Sequence, residues 1–132
     1  MDPSDVRMIF HVSTRDGTTF RELVKCYTVA TIIDFDYRYI DSSDTSCGVE
    51  TTTFDTACNM YNIEQIDMLY IDVDRHDIDI LNHAEHILGK IRRILVKEPS
   101  NPYSIDALLK RYHFTKVELG RSKCLEYCSV RM

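Results

Sequence analysis

Apolar and polar positions along this chain follow two different periods, and the switches between them mark its elements. The clearest succession is Gln65 to Glu98, QIDMLYIDVDRHDIDILNHAEHILGKIRRILVKE. Met68, Leu69, Ile71 and Val73 form a short apolar run broken by single polar residues, the pattern of a strand buried on both faces. Asp72 and Asp74 close it. From His76 to Lys90, Ile80, Leu81, Ala84, Ile87 and Leu88 recur every three or four residues, which places them on one side of a helix that Gly89 is suited to stop. Ile91, Ile94, Leu95 and Val96 then start a second apolar strand that ends before Pro99. Strand, helix and strand in succession make a βαβ unit with parallel strands and a right-handed crossover. Its first turn is acidic and faces the end of the sheet where ligands bind in α/β proteins.

The flanking segments extend this pattern. Val6 to Val12 reads as a strand, followed by a turn at Arg15-Asp16-Gly17. Phe20 to Tyr27 fits either a helical turn or the start of a strand. Val29, Ile33, Phe35, Tyr37 and Tyr39 alternate with Asp34, Asp36 and Arg38, as in a strand with one wet face. Asp41 to Gly48 is loop by composition, and Val49 to Thr52 gives a few extended residues. Thr53 can cap a helix to about Tyr61, with Phe54, Ala57, Cys58 and Tyr61 inward. Asn101-Pro102 opens a helix to about Tyr112 with Ile105, Leu108 and Leu109 on its stripe. Thr115 to Leu119 and Cys124 to Val130 read as a closing antiparallel hairpin around Gly120-Arg121.

Composition narrows the class without choosing a function. At 132 residues, 44% hydrophobic and 28% charged, the chain is sized for a single domain with a real core. No apolar run reaches the ~20 residues of a membrane span, and the acidic start MDPSDVRM is unlike a secretory signal. A cytoplasmic protein is expected. Five cysteines, an odd number with only Cys124 and Cys128 close together, fit reduced thiols better than a disulfide framework. A formal charge of −5 argues against nucleic acid as a partner, although Lys90, Arg92, Arg93 and Lys97 form a local basic group.

Several chemistries can be weighed from spacing. His76, Asp79, His83 and His86 share part of one helix face, but an HExxH pattern is absent and no metal is expected. Asp34, Asp36, Asp41 and Asp44 lack the central glycine and closing glutamate of a calcium loop. No GxSxG elbow surrounds a nucleophile, and Cys58 faces inward. The four glycines are isolated, so no glycine-rich nucleotide loop is present. The acidic turn remains: Asp72, Asp74 and Asp77 crowd one strand end, where carboxylates serve proton transfer or hydroxyl binding. Helix capping by Asp74 or Asp77 is the alternative.

The run VETTTFDTACNMYNIEQIDMLYIDVDRHDIDILNHAEHIL resembles the FkbM-type methyltransferases, in which a "TTLD" helix start precedes an "IDxLKIDVEGxExxVLxGA" segment. The likeness covers Val49 to about Glu98. It implies a class I S-adenosylmethionine-dependent methyltransferase fold, Rossmann-like, with Ile66 to Val73 as the fourth strand and Ile91 to Val96 as the fifth. Asp72 matches the motif's aspartate, Asp74 its glutamate and Asp77 the acid further along. These residues would face the methyl group and substrate, Asp72 and Asp74 as the catalytic pair, with Asp77, Arg75 and His76 beside the substrate.

The sequence departs from the pattern at three places: Arg75 and His83 stand at glycine positions, and Tyr70 replaces the usual lysine. The family's "VDVGANxG"-like cofactor turn is read nowhere upstream. The expectation is therefore the C-terminal half of the fold, residues 49–132, with a divergent N-terminal region, residues 1–48, in one domain. The sheet should be mixed and sandwiched by helices, ending in the hairpin. The fourth strand's normal neighbour, the first strand, is expected to be missing. Val6 to Val12, Val29 to Tyr39 or a second copy of the chain must cover that edge. Internal coverage is the first expectation, a homodimer the second. Functionally, the expectation is a methyltransferase-like domain with impaired or lost S-adenosylmethionine binding, working as a binding or regulatory module for a small-molecule or protein partner. The alternatives are an active O-methyltransferase and a small interaction protein on the same scaffold.

Overall fold

The computed structural model describes residues 5–13, 18–36, 54–73, 77–97, 99, 101–117 and 124–130. Among the described residues, six strands form one sheet: β1 (Met8–Ser13), β2 (Thr31–Asp36), β3 (Ile66–Asp72), β4 (Ile91–Lys97), β5 (Phe114–Val117) and β6 (Cys124–Ser129). They lie in the order β2-β1-β3-β4-β6-β5. The first four are parallel, while β6 runs antiparallel to β4 and β5 antiparallel to β6. Four α-helices, α1 (Thr18–Cys26), α2 (Phe54–Met60), α3 (Asp77–His83) and α4 (Pro102–Arg111), and a 3₁₀ helix at Glu85–Lys90 connect them. This is an α/β protein with a mixed sheet.

Alternation along β1 divides the core between the two faces of the sheet. Phe10 and Val12 join the larger cluster with Leu69, Ile71, Ile94 and Val96, packed beneath α2, α3, the 3₁₀ helix and α4. Ile9 and Met68 face the other way, toward Leu23 of α1. The chain thus has helices on both sides of the sheet, which is why β3 at its centre reads as a nearly continuous apolar run. Phe10, Phe35 and Phe54 meet at ring-centroid distances of 4.9 to 6.1 Å and tie β1, β2 and α2 together. Helices α2 and α4 are each followed by a residue at positive φ, Asn62 at 54° and His113 at 68°, which turns the chain back toward the sheet.

One expectation is borne out here and one corrected. The edge of β3 is covered from within the chain, by the 6–12 segment: β1 pairs with it in parallel, Ile9 opposite Met68 through Ser13 opposite Asp72, and β2 follows on the far side of β1. Which of the two candidate segments takes that place is set by tertiary packing, which a local period does not encode. Corrected is the single helix from His76 to Lys90, which is two. The α-helix ends at His83, Ala84 N–H is shared between the carbonyls of Ile80 and Leu81, and the chain tightens into the 3₁₀ turn that buries Ile87 and Leu88. Residues 20–27 are resolved in favour of helix, in α1. The extended residues expected at 49–52 and the loop at 41–48 lie outside the described residues.

Candidate functional site: the switch point of the sheet

From β1 the chain moves outward through α1 to β2, whereas from β3 it moves the opposite way to β4. The strand order therefore reverses between β1 and β3, and in open α/β sheets the crevice beyond the carboxyl ends of such a strand pair is the usual ligand site. Parallel register brings Ser13 and Asp72 side by side at these two ends. One step further in, Asp34, His11 and Tyr70 form a row across β2, β1 and β3.

Asp72, placed by the sequence at the end of the buried strand, does sit there, partly exposed, with the Lys97 ammonium of β4 at 3.9 Å. Asp77 is buried at the first turn of α3, and its Oδ1 accepts the N–H of Ile78 at 3.0 Å. That bond is local, to the residue that follows it. Asp74, Arg75 and His76 lie outside the described residues. His83 bonds through Nδ1 to the carbonyl of Asp79 at 2.8 Å. Among the described residues no three His, Cys, Asp or Glu side chains come close enough to hold a metal ion. The basic group on β4 divides among three carboxylates: Arg92 with Asp67 at 3.6 Å, Arg93 with Glu126 at 3.0 Å, and Lys97 with Asp72.

The sequence reading missed the inner row. His11 is buried in β1, and its Nδ1 lies 2.8 Å from Asp34 Oδ1. Its ring sits between Phe20 of α1, centroids 6.5 Å apart, and Tyr70, 5.7 Å away and edge-on. Burial pushes the Tyr70 phenol well above the ordinary tyrosine range, and the negative forms of Cys124, Asp72, Glu22 and Tyr27 add to the shift. Tyr70 therefore stays neutral and able to donate a hydrogen bond. The available signal was a titratable residue inside the apolar run MIFHV, where a polar side chain needs a partner. Ser13, two residues on, is buried beside Asp72.

No family model, curated protein or solved structure matches this chain. Fold and site together define an α/β protein with a mixed six-stranded sheet and a polar row at its switch point. No helix among the described residues is long and apolar enough to cross a membrane.

Proposed function

We propose that the chain is a methyltransferase-like domain of FkbM type whose S-adenosylmethionine site is impaired or lost, and which acts as a binding or regulatory module. The observation that carries this reading is the parallel pairing of β1 with β3, which sets Ser13 beside Asp72. A first strand next to the fourth, with the fifth beyond it and a terminal antiparallel hairpin alongside, is the arrangement that the resemblance implies.

With β1 in that place, the stretch Phe10 to Gly17, FHVSTRDG, can be laid on the family's VDVGANxG turn without a gap. His11 then stands at the aspartate, Ser13 at the first glycine, Thr14 at the alanine, Arg15 at the asparagine and Gly17 at the last glycine. The spacing survives while the chemistry is replaced. A serine at the first position puts a Cβ where the family brings bare backbone to the cofactor, and Ser13 is buried, so the extra atoms have little room to turn aside. Replacing an aspartate by His11 also exchanges a fixed anion for a group that is neutral or cationic.

The active O-methyltransferase is the second reading, favoured by the partly exposed Asp72 carboxylate at the crevice. There Asp72 would accept the hydrogen bond of a substrate hydroxyl and orient it. Calorimetric titration with S-adenosylmethionine separates the two. The degenerate site gives no saturable heat below millimolar cofactor, and micromolar binding would overturn it in favour of the enzyme.

A further inference from the structure

Strand β2 has β1 as its one neighbour among the described residues, so its other side is an edge of the sheet. At Ile32 the main chain there is turned outward. Thr31 donates its N–H to the Arg7 carbonyl at 2.8 Å, and in a parallel ladder the bonds to one neighbour come from every second residue. Thr31, Ile33 and Phe35 therefore bond to β1, and the N–H and C=O of Ile32 face away from it. A groove of about 570 Å³ runs along this side, lined by Met8, Thr31, Ile32, Ile33, Asp34 and Tyr61. Tyr61 on its wall and Val29, two residues before the strand, each keep more than half of their surface in solvent.

The two edges of the sheet differ in how they resist pairing. β5 is four residues long and carries Lys116, and both features discourage a new strand. β2 is six residues long, and the stretch leading into it, Tyr27 to Ile33, YTVATII, holds no charge, proline or glycine. Segments of that composition pair with identical segments, because a copy satisfies both the main-chain bonds and the apolar side chains. Asp34, the acid at the end of the groove, is engaged by His11, so the edge does not call for a basic partner.

We propose that two copies of this chain associate through β2, antiparallel about a two-fold axis at Ile32, into one continuous sheet. Two-fold symmetry requires the antiparallel sense. In this register Ile32 exchanges both main-chain hydrogen bonds with Ile32 of the other copy, Thr31 lies opposite Ile33, and Val29 opposite Phe35. Asp34 falls opposite Ala30, so no carboxylate faces another, whereas a pair centred on Asp34 would set two acids against each other. Ile33 of each copy enters the groove of the other beside Tyr61. The association is independent of the cofactor reading.

Sedimentation equilibrium and amide hydrogen exchange on the full chain test this. The parent should pass from dimer to monomer on dilution. The Ile32 N–H should be protected in the dimer and exchange freely in the monomer, while the Ile33 N–H, bonded to β1, stays protected in both. Ile32→Pro removes the exchanged donor without touching the β1 ladder and should abolish the dimer. Tyr61→Lys puts a cation on the exposed groove wall, should leave the Tm of the monomer unchanged, and should weaken the dimer about tenfold or more. A monomer at every concentration overturns the proposal, and protection of Ile32 in that monomer would assign the edge to another occupant. A dimer in which Ile32 exchanges freely, or one that both folded variants keep at parental strength, overturns it as well. If Ile32→Pro does not fold, Tyr61→Lys and the exchange of Ile32 decide.

Discussion

Asp67, the second residue of β3, accepts the main-chain N–H groups of both Arg7 and Met8 on one oxygen, at 2.7 and 3.0 Å. These residues lead into β1, so the carboxylate fastens the amino end of the outer parallel strands to the central one. Arg92 stands 3.6 Å from its other oxygen. Asp67→Ala leaves these donors at a largely buried position without their acceptor and should cost about 2–3 kcal/mol. Asp67→Asn keeps an acceptor oxygen and should cost about half as much. Urea midpoints at unchanged m-value measure both, and equal midpoints for Asp67→Ala and the parent would show that the clamp contributes nothing.

Two phenols make the fold sensitive to alkali. Tyr70 is held above its usual range by burial, and Tyr127 by burial and by the hydrogen bond that its hydroxyl donates to Asp106. Unfolded, both lose their protons near pH 10; folded, they hold them to higher pH. The folded state then binds more protons, so their contribution is complete below pH 10 and is lost as pH rises through the folded values. Urea midpoints should fall steeply above pH 10, and two of the eight tyrosines should form tyrosinate only together with unfolding. Eight independent titrations with no loss of structure would contradict this assignment. Tyr127→Phe should flatten the alkaline slope and cost about 1 kcal/mol near neutrality.

The thiols should divide by exposure. Cys26 ends α1 at the surface, whereas Cys58 is buried in α2, where burial raises its pKa and lowers its thiolate fraction. In the native protein iodoacetamide should alkylate Cys26 on the order of a hundred times faster than Cys58, with Cys124 and Cys128 between them. Peptide mapping by mass spectrometry reads the order. Early modification of Cys58 would mean that α2 opens readily.

If the turn after β1 descends from a cofactor loop, restoring its small residues should restore affinity. Ser13→Gly combined with Arg15→Asn should tighten S-adenosylmethionine binding by about tenfold or more, equivalent to roughly 1.4 kcal/mol. Calorimetry on the double variant is the measurement. A folded double variant with no gain would remove the cofactor loop from the history of this turn.

Much of the fold was legible from local signals, because those signals depend on neighbours a few residues away. The nearly continuous apolar run at 66–73, the helical stripe after it and Asn101-Pro102 each specify their own element. In the structure Asn101 caps α4 by accepting the N–H of Ser104 at 3.2 Å, and Pro102 is its first residue. The break at Ala84 was less legible, since the apolar spacing of Ile80, Leu81, Ala84, Ile87 and Leu88 suits a continuous helix as well as an α-helix tightened into a 3₁₀ turn. The place of Asp72 at the end of β3 was legible because a carboxylate that closes an apolar run is visible in one dimension.

The sequence by itself determined most of the element types, the acidic end of β3 and the closing hairpin, all consequences of short-range geometry and of which residues avoid water; the helix at 18–26 and the 3₁₀ turn at 85–90 it left open or misread. Only the tertiary structure decided that β1 is the neighbour of β3 and that His11, 23 residues from Asp34, is its hydrogen-bond partner. Parallel strands pair across long connections, and the free energy that selects the pair comes from a core shared by distant segments. Once that pairing is fixed, Asp34, His11 and Tyr70 come side by side across three strands next to the switch point.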